Sequence, residues 1–184
     1  MTLAPTPGQT IGPFFAYALP YPGASDLVPS DRPGAIRLHG RVIDGDGQPV
    51  PDALVELWQA DADGNVIAQA GSLRRDGWTF TGWGRAATDN VGRYSLTTLA
   101  PGGVDGAAPF FAITVFARGL LDRLFTRAYL PAGEVALTTD RLLASLPPER
   151  RRTLLATPDA DGFVFDIVLQ GESETTFLSH RDRV

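Results

Sequence analysis

Residues 38–62 (LHGRVIDGDGQPVPDALVELWQADA) constrain the fold of this chain more than any other stretch. Apolar and polar residues alternate at both of its ends, and a period of two is typical of half-buried strands. Between the ends, residues 44–47 (DGDG) tolerate positive φ, and Pro49 and Pro51 stop a strand ladder from running on. The pattern predicts a hairpin of two antiparallel strands. Because a lone hairpin leaves its apolar face uncovered, a second sheet must pack on it, which favours a β-sandwich.

Later segments of the chain predict five more strands, at residues 78–84, 93–98, 110–117, 124–130 and 163–169. The run at 110–117 (FFAITVFA) is almost wholly apolar, so we expect a central strand covered on both faces. Leucines at helical spacing are confined to residues 139–156, where a Pro-Pro pair interrupts them. We therefore expect two short helices there, with Thr139 or Asp140 as the N-cap of the first.

The chain divides into an N-terminal arm, residues 1–34, and a sandwich domain, residues 35–184. The arm is punctuated by Pro and Gly and contains four aromatic residues: Phe14, Phe15, Tyr17 and Tyr21. Disordered tails rarely hold so many aromatic side chains, so we expect an extended arm that packs on the sandwich or on a partner. The domain is predicted to be all-β, with seven or eight strands, one helical excursion near 139–156 and a polar tail at 171–184.

Charge and composition argue against several classes of function. The formal net charge of −5 gives no electrostatic support for nucleic-acid binding, and no apolar run approaches the roughly 20 residues of a membrane span. The N-terminus lacks the basic start and apolar centre of a secretory signal. The chain has no cysteine, which excludes thiolate chemistry and fits a reducing cytoplasm. The basic cluster at 150–152 is predicted to be a solvated helix start or turn.

The sequence shows no convincing active site of its own. It contains two histidines, His39 and His180, without the spacing of a metal-ligand pair. His39 lies between two arginines, which favours a solvated side chain. Residues 61–65 (DADGN) resemble the start of a calcium loop but lack its distant glutamate, so an Asp-Gly turn is favoured. The chain contains no Gly-x-Ser-x-Gly motif and no phosphate-binding glycine loop.

Arg127 stands out because it shares a predicted strand face with the aromatic residues Phe125 and Tyr129. An arginine in this setting is often a structural residue paired with a carboxylate. It can also bind a carboxylate ligand, because the guanidinium group offers two parallel N–H donors. The residues alone leave both interpretations open.

Four stretches, at 7–15 (PGQTIGPFF), 38–61, 88–102 (TDNVGRYSLTTLAPG) and 108–129, together span most of the chain. In this order they resemble the α subunits of the protocatechuate 3,4-dioxygenases, a family of intradiol ring-cleaving enzymes. One stretch alone is a modest signal, because transthyretin-like modules use a similar Gly-x-x-Pro-x-x-x-Ala segment. The resemblance implies an intradiol-dioxygenase-like, transthyretin-related β-sandwich.

The chain departs from the catalytic subunits of this family at every iron ligand. Those β subunits hold Fe(III) with two Tyr and two His, and phenolates are hard ligands that suit the ferric ion. The corresponding positions here are Val66, Val104, Phe110 and Ala112. A family arginine near the His pair falls close to Ala107. The resemblance therefore implies that this chain holds no metal of its own and that a β subunit partner binds the Fe(III).

In the family, four residues of the α subunit face the substrate pocket of the β subunit, and here they are Thr10, Gly12, Pro13 and Arg127. The implied complex cleaves a small aromatic acid, 3,4-dihydroxybenzoate, with O2 to give 3-carboxy-cis,cis-muconate. Arg127 would then attract the anionic substrate, and the arm would become ordered at the interface and not by joining its own core.

Two alternatives remain. The first is a transthyretin-like binding or scaffold module with no catalytic partner. The second is a self-sufficient dioxygenase with an unusual iron site. The scarcity of His and the positions of Tyr17, Tyr21, Tyr94 and Tyr129, which fit core or interface aromatics better than ligands, argue against the second.

Overall fold

The structure is a computed structural model that describes residues 12, 14–67, 76–131, 133 and 138–179. Predictions on Thr10, Pro13 and His180 lie outside the described residues. The described elements are nine strands and three short helices. The strands are β1 Ala35–Ile43, β2 Leu54–Trp58, β3 Trp83–Ala87, β4 Arg93–Leu99, β5 Phe110–Phe116, β6 Leu124–Tyr129, β7 Thr157–Pro158, β8 Gly162–Val164 and β9 Ile167–Val168. The helices are α1 Phe14–Ala18, α2 Arg141–Ser145 and α3 Pro148–Arg152.

The strands form two sheets that pack face to face. The first sheet has the order β4-β1-β8-β7, with β9 also paired to β1, and the second has the order β3-β2-β5-β6. Alternate residues of β1, β2, β4 and β5 point into the shared core and are fully buried: Leu38, Val42, Val55, Leu57, Leu96, Phe111 and Val115. Burial of these side chains supplies most of the stabilisation of such a fold. The predicted all-β sandwich is confirmed.

The predicted hairpin at residues 38–62 is wrong, because β1 and β2 lie in different sheets. The turn itself closes, with the Asp44 amide donating to the Gln48 carbonyl at 2.9 Å and the Val50 amide to the Val42 carbonyl at 2.9 Å. Beyond it, Pro49 and Pro51 have no N–H to extend a ladder. The chain crosses the core at Asp52, which has a φ of 61°, and β2 pairs with β3 and β5 instead.

Two strand boundaries also differ from the prediction. The strand expected at 78–84 begins at Trp83, because the Asp76 carboxylate accepts hydrogen bonds from the amides of Trp78 and Thr79 at 2.8 and 2.7 Å and holds a turn there. The strand expected at 163–169 is divided into β8 and β9. At the break, the Phe165 carbonyl accepts the buried Tyr94 hydroxyl at 2.6 Å and so leaves the ladder.

The central strand β5 is fully buried on its inner face only. Its outer residues, Phe110, Ala112, Thr114 and Phe116, are half-buried, so the predicted cover is complete on one face and partial on the other. Part of the outer face is covered by α1, where Phe15 stacks on Phe116 with 5.1 Å between ring centroids. Part of the polar tail packs on the sandwich, since Thr175 and Thr176 are buried.

The arm combines a helical turn with a segment that joins the core. The chain is helical at α1, where an extended conformation was expected, and Phe14 and Tyr17 are each 76% exposed. Further along, Leu27 belongs to the main core cluster, and its amide donates to the Thr97 carbonyl at 2.8 Å. This part of the arm therefore packs into its own sandwich, contrary to the expectation that it would not join that core. No helix among the described residues is long and apolar enough to cross a membrane.

Candidate functional site

A cavity of about 470 Å³ lies on the outer face of the second sheet, where β5 begins and β6 ends. It is walled by the loop before β5, by Phe110 and Arg127 of the sheet, and by the start of α2. Its lining residues are Val104, Asp105, Gly106, Ala107, Phe110, Arg127, Thr139, Asp140, Arg141 and Leu142. The cavity combines an aromatic ring and small hydrocarbon side chains with two arginines, Arg127 and Arg141, and two aspartates, Asp105 and Asp140. Asp140 is already occupied as a hydrogen-bond acceptor, and an arginine beside an aromatic ring can bind a compact aromatic anion.

Arg127 is held in this cavity by two contacts. Its guanidinium carbon lies 4.0 Å from the centroid of the Phe110 ring, a cation–π contact. Its Nη1 donates a hydrogen bond to the Tyr129 hydroxyl at 3.0 Å. A guanidinium group has five N–H donors, and Arg127 lines the cavity. Among the described residues, no carboxylate forms an ion pair with its side chain, so the choice between a substrate-binding and a structural arginine stays a prediction.

The Tyr129 hydroxyl is fixed in turn by Asp140. It donates to Oδ1 of Asp140 at 3.3 Å. The same oxygen accepts the amides of Leu142 and Leu143 at 2.9 and 3.0 Å, so Asp140 is the N-cap of α2. Its other oxygen accepts the Ala108 amide at 3.1 Å. Asp140 is only 1% exposed, and these four bonds compensate the cost of burying its carboxylate.

The surroundings keep the Tyr129 phenol protonated. Burial raises the pKa of Tyr129 above its usual value, while the hydrogen bond and the positive charge of Arg127 oppose that rise. The phenol therefore donates to Asp140 and accepts from Arg127 at neutral pH. The three side chains form one polarised chain from the N-terminus of α2 to the cavity.

The helical excursion holds this chain of hydrogen bonds against the end of β6. The Tyr129 amide donates to the Leu154 carbonyl at 2.8 Å. Arg151 donates to the carbonyls of Leu143 and Leu146 at 2.8 and 3.3 Å, and so caps the C-terminal end of α2. Arg151 of the basic cluster at 150–152 therefore has a structural role, where a solvated segment was predicted. The two short helices themselves are confirmed.

Three of the positions that the resemblance assigns to iron ligands or to the neighbouring arginine lie together with Arg127. Val104, Ala107 and Phe110 all line its cavity. Ala112 lies directly opposite Arg127 in the β5–β6 ladder. Val66 pairs with Ala60 and is 73% exposed, outside the lining of the cavity.

The arm residues of the predicted site are described in one position only. Gly12 has a φ of 71°, in the left-handed region that glycine adopts readily. Thr10 and Pro13 lie outside the described residues. Their placement near Arg127, or in the pocket of a partner, stays a prediction.

The side chains of the cavity do not fit a ferric ion. The family positions for the ligands are hydrocarbon, and both oxygens of Asp140 already accept hydrogen bonds. Within the described part of the chain, no group of three or more His, Cys, Asp or Glu side chains could hold a metal ion.

The two weaker candidates from the sequence have structural roles. His39 is half-buried, where a solvated residue was predicted, and its Nε2 lies 2.8 Å from Oδ2 of Asp159. Asp61 accepts the amides of Asp63 and Asn65 at 3.0 and 2.8 Å. These bonds, the one from Asn65 above all, lower the pKa of Asp61 and make the turn that was favoured over a calcium loop.

A second cavity, of about 570 Å³, lies on the outer face of the first sheet and is lined by charged residues. Arg41 and Arg93 stand directly opposite each other in the β1–β4 ladder. The Asp89 carboxylate balances them: the hydrogen bond from the Arg93 amide, with the charges of both arginines, lowers its pKa. We interpret this surface as a solvated, charge-balanced sheet face.

Sequence reasoning identified Arg127 but missed the residues that hold it. Tyr129 was interpreted as a core or interface aromatic and Asp140 only as a possible N-cap. The available signal was the i, i+2 spacing of Arg127 and Tyr129, which places both on one strand face. The contact with Asp140 has no local signal, because it depends on how the excursion folds back on β6.

Comparison with known proteins identifies the family of the chain. Residues 24–132, more than half of the chain, match a family described as Dioxygenase. The protocatechuate 3,4-dioxygenase alpha chain of Burkholderia cepacia is 37% identical over 96% of this chain and 98% of its own length. The beta chain from the same organism is 32% identical over 85% of this chain and 78% of its own length.

Solved structures show the same relationship. The dioxygenase domain of a dioxygenase–carbohydrate-binding protein fusion from Streptomyces sp. SirexAA-E superposes with a TM-score of 0.60 at 29% identity, covering 80% of this chain and 87% of that one. The intradiol dioxygenases are iron-dependent, and both α and β chains of one such enzyme are among the relatives. The chain belongs to the intradiol ring-cleaving dioxygenases.

Proposed function

We propose that this chain is the α chain of a protocatechuate 3,4-dioxygenase and acts together with a β chain of the same family. The observation that carries the proposal is the cavity around Arg127, which Val104 and Phe110 line with it. By resemblance, these two positions hold iron ligands in the catalytic subunits, and here their side chains are hydrocarbon. Such a cavity suits the recognition of an aromatic carboxylate and leaves the chemistry to another subunit.

The β chain in this proposal binds the Fe(III). The ion acts as a Lewis acid that favours the doubly deprotonated catechol and makes it reactive toward O2. The substrate is 3,4-dihydroxybenzoate, and the insertion of both oxygen atoms between the hydroxyl-bearing carbons gives 3-carboxy-cis,cis-muconate. The cysteine-free composition of the chain fits a complex in the cytoplasm.

This chain contributes to the partner's pocket an arginine that binds the carboxylate of the substrate and part of the pocket wall. Arg127 supplies N–H donors and a positive charge for the carboxylate of the substrate. Thr10, Gly12 and Pro13 reach the same pocket from the arm. The exposed rings of Phe14 and Tyr17 at the start of the described arm support an interface there, because large exposed aromatic side chains are typical of protein contacts.

Co-expression with a β chain tests the proposal. We expect the chain alone to be colourless and inactive, and the complex to be red and to consume 3,4-dihydroxybenzoate and O2 in equal amounts. In the complex, Arg127→Ala should raise the KM for this substrate by about tenfold or more, as the loss of a charged hydrogen-bonding partner does, and leave the αβ assembly intact on size-exclusion chromatography.

Three outcomes would contradict parts of the proposal. Iron colour and ring cleavage by this chain alone would indicate a self-sufficient dioxygenase. A stable chain that binds no β subunit would favour the scaffold module. Loss of assembly on Arg127→Ala would show that Arg127 is structural and not a carboxylate clamp.

A further inference from the structure

The side chain of Arg127 is long and flexible in principle, yet its guanidinium group is held from two sides. Phe110 supports one face at 4.0 Å, and the Tyr129 hydroxyl takes Nη1 at 3.0 Å. The ring contact limits the height of the guanidinium above the sheet but allows it to rotate over the ring. The hydrogen bond to Tyr129 removes that rotation, because it fixes one particular N–H.

Both supports are fastened to the same buried carboxylate. Asp140 accepts the Tyr129 hydroxyl through Oδ1 at 3.3 Å. Through Oδ2 it accepts the amide of Ala108 at 3.1 Å, two residues before Phe110. Asp140 therefore fixes the phenol beside the guanidinium and anchors the loop that leads into Phe110. Of Arg127, Tyr129 and Asp140, only Arg127 has to contact the substrate.

We propose that Tyr129, fixed by Asp140, is a positioning residue that sets the direction in which Arg127 presents its remaining N–H groups to the carboxylate of the substrate. The inference rests on the proposed function and deepens it. A carboxylate binds most tightly when two parallel N–H groups face it, so a guanidinium that rotates freely binds it less well. The effect falls on substrate binding and on preference for carboxylated catechols, and no bond is made or broken by Tyr129.

The test is Tyr129→Phe in the αβ complex, which keeps the ring and its packing and removes the hydroxyl alone. We expect the KM for 3,4-dihydroxybenzoate to rise about five- to tenfold, the size of one lost ordinary hydrogen bond, with little change in kcat. The preference for 3,4-dihydroxybenzoate over catechol, measured as the ratio of kcat/KM values, should fall by a similar factor, because catechol has no carboxylate to orient.

Tyr94→Phe is the matched control. Its hydroxyl is also buried and donates to a backbone carbonyl at 2.6 Å, but it lies on the first sheet, outside the residues that line the Arg127 cavity. This variant should lose stability and keep the wild-type preference between the two substrates.

Each outcome decides the matter. An unchanged preference in Tyr129→Phe, or an equal change in both variants, would overturn the inference while leaving the proposed function standing. If the wild-type complex itself has no activity on 3,4-dihydroxybenzoate, the proposed function has failed instead. A fall in preference confined to Tyr129→Phe supports the positioning role.

Discussion

At the residue scale, a single buried side chain organises the candidate site. Asp140 joins three parts of the molecule that are distant in sequence: the start of α2, the loop before β5 and the end of β6. A buried carboxylate is tolerated when each oxygen accepts hydrogen bonds, and is costly otherwise. The polar chain from Asp140 to Arg127 therefore depends on all of these bonds being present together.

Replacing Asp140 with Ala should destabilise the fold by about 2–4 kcal/mol. The change removes an N-cap, which contributes about 1 kcal/mol, and leaves the Ala108 amide and the Tyr129 hydroxyl buried without a partner, at about 1–3 kcal/mol. Urea unfolding followed by fluorescence measures the difference in the free energy of unfolding. Asp46→Ala, at an exposed position of the 44–48 turn, is the control and should stay within about 0.5 kcal/mol of wild type.

The sequence predicted the site only as far as local patterns reach. Arg127 is recognisable because its strand alternates and its neighbours are aromatic. The cavity cannot be recognised from the sequence, because its walls come from the loop at 104–107, from β5 and β6, and from α2. Similarly, Asp140 is identifiable as a cap from its place before a helix, while its bond to Tyr129 follows from tertiary packing alone.

At the scale of elements, alternation predicted where strands are but not which strands pair. β1, β4, β5 and β6 lie close to their predicted positions. The pairing of β1 and β2 was wrong because period-two alternation describes one strand against a core and contains no information on its neighbours. The division between β8 and β9 was missed because a tertiary hydrogen bond, from Tyr94 to Phe165, causes it.

Gly40 is the residue of β1 that permits this division. A Cβ at this position would overlap the Phe165 carbonyl oxygen, so the close approach of the Phe165 backbone to β1 requires glycine. Gly40→Ala should lower the free energy of unfolding by about 1–3 kcal/mol, the usual cost of forcing extra volume into a packed site, as measured by urea unfolding.

Gly133→Ala is the corresponding control, since a Cβ added there meets no atom within 4 Å. It should change stability by less than about 0.5 kcal/mol. Equal stability of the Gly40 variant and wild type would show that the two chain segments can separate at no cost, and that the close approach is not required.

At the scale of the whole molecule, the two outer sheet faces differ in character. The first sheet exposes balanced charges around Arg41 and Asp89. The second carries a cross-strand row of Trp83, Trp58, Ala112 and Arg127, with Trp58 49% exposed. Tryptophan and arginine are enriched at interface centres, so the second sheet, which carries both on one face, is the face on which we expect the β chain to pack.

Trp58→Ser should therefore weaken association with the β chain, raising the Kd by about tenfold or more, as the loss of an interface tryptophan commonly does. Isothermal titration of the two purified chains measures this. The control is Leu121→Ser, which removes a 68% exposed apolar side chain from the turn between β5 and β6, at the opposite end of the sheet. Equal weakening by both changes, or by neither, would contradict the placement of the partner.

The crossing of the chain from β1 to β2 has a practical consequence for work on this protein. Every ladder partner of β1 lies in one layer and every ladder partner of β2 in the other, while the 44–48 turn closes back on β1 and the chain changes layer only after it. A peptide tag or a fluorescent reporter inserted after Gly47, which is exposed, would disturb the hydrogen bonds of this turn and none between the named strands. Labelling at this point gives a probe of assembly that leaves both outer surfaces of the sandwich untouched.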